Sequence, residues 1–428
     1  MDTLIIKNAQ VWIDNKLVKK DIFIQKGIIK EISNNIKHDG VKIYDLKNHI
    51  IVPGLIDVHT HLREPGYEYK EDIKSATKAA AHGGYTTICC MPNLKPNTAT
   101  VKDLKYIIDK SKKVSHINVL PFSTITINRD GKSKLVDFKN NAKYAFAFSD
   151  DGCGIQKTNL MRQALLQTAK LNKVVCAHAE DPTLSEKNGC IQNCAFAKKH
   201  HIPTISSQSE WKQVERDLKL AIATKAKYHL CHISCKESVD LIRKYKRKLK
   251  TISCEVTPQH LLLDCSMLKN KGIYKVNPPL RTKQDRISLI KGIKDGTIDM
   301  IATDHAPHSE KEKTVDLIHS CFGIASMDYA FTLLYTYLVK TKVIDLNKLI
   351  ALMSINPARK FDLPINKITV GSKASLMVFD PKTTTKISKN KIYSKSKQSP
   401  FIGMPCCGWV KLNVANGYVV YDSAKGVK

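Results

Sequence analysis

The 428-residue sequence predicts an α/β fold: a (β/α)8 TIM barrel flanked by a small β-sandwich domain that the N- and C-terminal segments build together. Three observations predict it. Through the middle of the chain, eight short apolar runs alternate with longer stretches at helical spacing. Both ends read instead as strands with period-two alternation and tight turns. No GxGxxG follows the first strand, so an open dinucleotide-binding sheet loses its support.

In chain order, LIIKNAQVWI, KLVKKDIFIQ and GIIKEI come first as strands, broken by the turn pairs Asp14-Asn15 and Lys26-Gly27. The eight runs are IIVPGLIDVH, GYTTICCM, INVLPF, YAFAFS, KVVCAH, KYHLCH, TISCEV and IDMIATD. Between them lie helix-like stretches such as KEDIKSATKAAAHGG and LIRKYKRK. Eight strand and helix units over about 250 residues match the arithmetic of the barrel. FGIASMDYAFTLLYTYLV and LNKLIALMSINPARKF read as long helices covering its outer side or rim. Strand material returns in ASLMVFD and in WVKLNVANGYVVYD, where Asn416-Gly417 marks a hairpin, so the two ends are expected to share one sheet. The expected division is 1–52 and 363–428 for the small domain and 53–362 for the barrel.

Composition limits the function classes. The balance of 69 basic and 39 acidic residues gives a net charge of +30, but the lysines are spread along the chain and no aromatic-interleaved basic platform occurs. This argues for a solvated basic surface rather than nucleic-acid binding. No apolar run approaches the ~20 residues that span a bilayer, so no membrane association is expected. MDTLIIKNAQ has neither a basic leader nor a small-residue cleavage site, and the expected location is cytoplasmic. Thirteen cysteines, odd in number and twice directly adjacent, do not read as a disulfide framework.

Barrel enzymes work at the carboxyl ends of their strands, and these ends carry metal-ligand residue types. They are His59-Thr60-His61, Asp150-Asp151, His178, His232 and Asp304. His59 and His61 are two apart and share a strand face, so they can hold one ion. Four histidines and two carboxylates suit zinc or a similar divalent ion, and suffice for two ions with Asp151 between them. Convergent polar groups without such a purpose would be buried without partners. By strand alternation Asp150 faces away and reads as structural. His229 and His305 read as supports behind a ligand or as structural groups, and His260 fits either description.

The segments PGLIDVHTHLREPG, GGYTTICCMPN, FSDDG, HAED, CHISCKES, EVTPQHLLL, VNPPLR and ATDHAPH resemble, in order, the motifs of class I dihydroorotases of the amidohydrolase superfamily. The resemblance runs from Pro53 to about Phe361, and the flanking strands resemble that superfamily's composite small domain. It implies a zinc-dependent, reversible cyclisation of N-carbamoyl-L-aspartate to (S)-dihydroorotate, the third step of pyrimidine biosynthesis. It implies two Zn2+ per subunit: His59, His61 and Asp304 on one, His178 and His232 on the other, and Asp151 bridging. Asp304 is implied as the proton carrier. Arg63, Asn93 and His308 are implied as anchors of the substrate carboxylate, and Asn277, Phe322 and Gly323 as contacts to the ring, the last two through backbone groups, while His61 also borders the substrate.

SDDG matches the branch that bridges with aspartate rather than a carboxylated lysine. Departures at Leu94, Cys153 and Gln259 fall beside motif residues rather than on them. The polar stretch from Ser309 to Ile318 reads as a mobile segment over the site. Relatives imply a homodimer or an assembly with aspartate transcarbamoylase. The rival readings are an allantoinase or hydantoinase, against which Arg63 and the aspartate bridge count, and an inactive barrel scaffold, against which the complete donor set counts.

Overall fold

A computed structural model describes residues 1–428. The chain opens with β1 (Leu4–Ile13), β2 (Lys16–Gln25), β3 (Ile28–Ser33), β4 (Lys42–Asp45) and β5 (Ile50–Pro53). A series of shorter strands comes next: β6 (Leu55–Thr60), β7 (Tyr85–Cys90), β8 (Asn118–Pro121), β9 (Val174–Ala177), β10 (Lys227–Leu230), β11 (Ile252–Val256) and β12 (Met300–Ile301). The chain closes with β13 (Leu376–Lys386), β14 (Pro405–Ala415), β15 (Tyr418–Asp422) and β16 (Gly426–Val427).

The two ends do share one sheet. Its order is β16-β15-β14-β13-β5-β1-β2-β3, with β4 added parallel to β1. The seam between the ends is the antiparallel pair β13 and β5, in register from Leu376 opposite Pro53 to Phe379 opposite Ile50. Alternation drives the pairing: Leu4, Ile6, Ile51, Leu376, Val378, Leu412 and Val414 are buried in a single apolar cluster. At Asn416-Gly417 both residues take positive φ, 52° and 79°, as a tight hairpin requires.

The middle strands pair in parallel as β6-β7-β8 and as β9-β10-β11-β12. Isolated parallel bridges link the two groups, Ser123 to Phe148, Phe148 to Val175, and Thr60 to His305. The run YAFAFS, expected as a full strand, supplies little more than these bridges and the hydrogen bonds of Phe146, Phe148 and Ser149 to their neighbours. The turn directly after Ser149 is the cause. Asp150 points its carboxylate onto the backbone N–H groups of Ile125 (2.7 Å) and Thr126 (3.1 Å), and Gly152 turns at φ 78°, so the ladder ends early.

Helices alternate with these strands. Ile73–Gly83 begins in a reciprocal cap between Asp72 and Ser75 and stops at Gly84 in the left-handed region. A Cβ on Gly84 would also strike the Met377 sulfur, so the helix end and the terminal sheet meet where only glycine fits. The first long helix expected near the C-terminal side starts only at Ala330, because Ile324 pairs with His305 in extended form. Both helical segments there contain a π turn, at Tyr335–Val339 and at Ala351–Ile355. No helix is long and apolar enough to cross a membrane.

Candidate metal and substrate site

The carboxyl ends of the parallel strands converge on one cavity of about 250 Å³. It is lined by His61, Arg63, Asn93, Asp151, Gly152, His178, His232, Asn277, Asp304, Ala306, His308, Phe322 and Gly323, with His59 fully buried beneath them. Three of these turn sharply out of their strands, with positive φ at Arg63 (62°), His232 (27°) and Asp304 (47°). Left-handed backbone at non-glycine residues is held only where the surroundings over-determine it, and it clusters at functional sites.

At one end of the cavity lie six donor groups. His59 Nε2 is 3.5 Å from both Asp151 Oδ1 and Asp304 Oδ1. His61 Nε2 is 2.9 Å from Asp304 Oδ1 and 3.7 Å from Asp151 Oδ2. His232 Nε2 lies 3.9 Å from Asp151 Oδ1 and 3.0 Å from His178 Nδ1. Asp151 therefore belongs to two donor groups at once, one with His59 and His61 and one with His178 and His232. Burial works against its charge, yet the close approach of His232, His59 and His61 holds its carboxyl well below the usual range.

The fit of this set to a cation rests on unmet valence. His59 Nε2 and Asp151 Oδ1 are buried, face each other and have no hydrogen-bond partner, a rare condition for buried polar atoms. Nitrogen and carboxylate donors with free lone pairs aimed at a common point suit a divalent ion such as zinc.

The donors are aimed from behind by residues that the amino-acid pattern does not single out. Glu255, fully buried, is 2.6 Å from His59 Nδ1 and 2.9 Å from His229 Nε2, so each Nε2 or Nδ1 role is set by which nitrogen the carboxylate takes. Glu180 accepts at 2.8 Å from His178 Nε2 and at 2.8 Å from the Asn277 amide. Asp57, on the same strand face as His59, accepts from the His59 N–H (3.2 Å) and the Thr303 N–H (3.1 Å), which locks β6 to the strand that carries Asp304. Strand parity is the one available signal for Asp57. Glu180, two residues past His178 at a strand end, carries the same signal, whereas Glu255 carries none, since a carboxylate within an apolar run names no partner.

Several residues named from the sequence have partners within the protein. Asn93 turns its amide oxygen to His61 Nδ1 (2.8 Å) and its amide nitrogen toward Asp151 Oδ2 (3.4 Å), which places it behind the donors. The Phe322 carbonyl accepts from His308 Nε2 at 2.8 Å, and the Gly323 N–H donates to the Lys275 carbonyl at 3.0 Å, so these backbone groups already have partners. Gly323 is required by space: at φ 118° an added Cβ would stand 2.6 Å from Ala306 Cβ. Asp150, His229, His305 and His260 are internally bonded. His260, for example, bridges Thr257 Oγ1 (2.7 Å) and the Pro278 carbonyl (2.9 Å), and burial pushes its pKa down to about 4.

Arg63 also lines the cavity, donating from Nε to the Pro307 carbonyl at 3.1 Å, with its Nη2 3.3 Å from His308 Nε2. The stretch after His308, expected as a mobile segment, is pinned by the buried Lys313, whose Nζ donates to the carbonyls of Lys275 (3.1 Å) and Cys321 (2.7 Å).

Comparison with known proteins agrees with this geometry. A dihydro-orotase-like family model matches residues 48–238. The dihydroorotase of Listeria monocytogenes is 43% identical over 424 residues, covering 98% of this chain and 99% of its own. That of Brevibacillus brevis is 42% identical over 411 residues, covering 95% and 96%. Among solved structures, the L-hydantoinase (dihydropyrimidinase) of Arthrobacter aurescens superimposes with a TM-score of 0.86 at 22% identity, covering all of this chain and 98% of that one. The dihydropyrimidinase of Brevibacillus agri superimposes with a TM-score of 0.85 at 21% identity, over 99% of this chain and 96% of that one. The structural likeness carries the fold, and the sequence relatives carry the family: this chain belongs to the dihydroorotases, hydrolases that act on cyclic amides.

Proposed function

We propose that this chain interconverts N-carbamoyl-L-aspartate and (S)-dihydroorotate, the third step of pyrimidine biosynthesis, in the cavity that joins the six donors to Arg63. The observation that supports it best is the shared position of Asp151, which stands in both donor groups while a guanidinium lines the same cavity. In this reading His59, His61 and Asp304 would hold one zinc ion, His178 and His232 a second, and Asp151 would serve both. Bound divalent ions would supply Lewis acidity, polarising the amide carbonyl and lowering the pKa of water.

The chain's own residues do the rest. Asp304, whose Oδ1 is held 2.9 Å from His61 Nε2, takes the proton on ring opening and delivers it to the departing ring nitrogen. In the closing direction the protonated carboxyl returns it. Arg63 meets the substrate carboxylate with a planar fork, and Asn277, tethered by Glu180, borders the ring.

The same reading assigns the chain to class I and closes its parallel strands into a (β/α)8 barrel, supported by the bridges Phe148–Val175 and Thr60–His305. It places the barrel at 53–362 and the small domain at 1–52 and 363–428, supported by the β13–β5 seam. A cytoplasmic enzyme acting as a homodimer, or joined to aspartate transcarbamoylase, completes the proposal. Metal content and dihydroorotate turnover of the purified chain test it: two zinc ions with turnover is the expected result, and a metal-replete chain without turnover overturns it.

A further inference from the structure

Lys70 lies on the loop between β6 and the helix Ile73–Gly83, and nothing in the motif pattern gives it a task. Its side chain is nearly covered. Nζ is 2.8 Å from Glu312 Oε1 and 3.2 Å from His308 Nδ1, and it packs beside the rings of Tyr67 and Tyr69. An ammonium has only donors, so Nδ1 of His308 must accept. A neutral ring then carries its proton on Nε2, and that nitrogen is 2.8 Å from the Phe322 carbonyl, which can only accept. The contact of Arg63 Nη2 with Nε2 at 3.3 Å is therefore one donor beside another, and Nη2 keeps its hydrogens for the cavity.

We propose that Lys70 is a positioning residue that selects the His308 tautomer and so keeps the Arg63 guanidinium free for the substrate carboxylate, an inference that rests on the proposed role of Arg63. The alternative arrangement is built into the same cluster. Without Lys70, Glu312 loses its cation, and its Oε2, which accepts from the Ser309 N–H and hydroxyl and lies 3.6 Å from His308 Nδ1, is the nearest acceptor for a proton on that nitrogen. Nε2 would then accept from Arg63 Nη2 and turn it away from the substrate, while the Phe322 carbonyl would lose its donor. In either arrangement the ring is neutral, because burial and the charges of Arg63, Lys70 and Lys313 push the His308 pKa down to about 2 against the pull of Glu312, so the choice lies between its two nitrogens.

The test is Lys70→Met and Lys70→Arg in the metal-loaded enzyme, read by ring-nitrogen NMR on histidine-labelled protein and by steady-state kinetics, with His308→Gln to assign the signal. In Lys70→Met the His308 proton should move from Nε2 to Nδ1. KM for dihydroorotate should rise about tenfold with kcat changed less than about threefold, as expected when binding common to ground and transition states is weakened. Lys70→Arg, again a pure donor, should restore both. An unmoved proton, or a moved proton with unchanged KM, would overturn the inference. Arg63→Met, run alongside, separates the two levels: if it leaves KM unchanged the carboxylate reading itself fails, whereas a raised KM there with none in Lys70→Met removes only the role of Lys70.

Discussion

At one end of the cavity His59, His61, Asp151, His178, His232 and Asp304 stand on or directly after parallel strands, while at the other Arg63 and His308 stand on loops that other side chains hold in place. The donor end is aimed by acceptors, Glu255 behind His59, Asn93 behind His61 and Glu180 behind His178. The reading end is aimed by cations, Lys70 against His308 and Lys313 against the Lys275 and Cys321 carbonyls. The difference comes from the charge each end must receive. In the proposed reading a cation needs lone pairs, so histidines are held with a nitrogen free of hydrogen; a substrate carboxylate needs hydrogens, and the guanidinium gives only Nε to a carbonyl acceptor, that of Pro307.

Breaking the donor end should have the largest effect. In Asp151→Asn a neutral amide replaces the carboxylate shared by both donor groups, and several kcal/mol of charge stabilisation is lost. We expect kcat/KM to fall at least about a thousandfold, at ~1.4 kcal/mol per tenfold, with metal content below two per chain. Full metal content with near-normal turnover would reject the shared role.

Arg63→Met tests the reading end alone. Removing one partner of a buried charge pair costs roughly 2 to 5 kcal/mol, about 30- to 5000-fold in kcat/KM. Metal content should stay normal, because Arg63 contacts the Pro307 carbonyl and His308 rather than a ligand. Uncharged cyclic amides such as dihydrouracil, where turned over, should suffer far less, and equal losses on both substrates would erase the contrast between the ends.

Glu255→Gln sharpens the contrast by weakening an acceptor without removing a ligand. Changes of this kind lower metal affinity about 10- to 100-fold. Chelator competition should show that loss, with activity recovered at high zinc. Unaltered affinity would mean that β6 alone fixes His59.

What the sequence makes legible divides along the same line. Strand ends point to the donors, because several histidines and aspartates closing apolar runs would otherwise converge without partners, whereas Arg63 is named before any coordinates only through the motif resemblance. Glu255 cannot be named so, since its task depends on which histidine lies across the sheet, at a separation of 196 residues for Glu255 and His59, whereas Glu180 stands two residues past its partner His178. Lys70 and Lys313 resemble solvated surface lysines in a chain with many. The weak strand at YAFAFS fails for a related reason: its apolar pattern is sound, but Asp150 diverts the backbone into a turn that pattern alone does not report.

Lys313 gives the smallest expected effect on activity, and it tests whether the reading end is held by a cation against that cation's own preference. The side chain is 1% exposed, and burial pushes its pKa down to about 7, with Glu312 and Cys321 opposing that shift. A lysine in the unfolded chain titrates near ~10.4. Between about pH 7 and 10 the unfolded state therefore binds more protons than the folded one, and this group makes stability rise with pH across that window. Below it, both states are protonated and the folded state carries the full penalty of a buried charge. Lys313→Met removes the charge and two hydrogen bonds to carbonyls, worth about 1 kcal/mol each. The melting temperature of the parent minus that of Lys313→Met should accordingly climb from pH 6 to pH 9. With the backbone braces weakened, kcat/KM should fall less than about tenfold. A flat difference across that range would show that Lys313 does not titrate there, and that its two carbonyl contacts hold the loop without electrostatic tension.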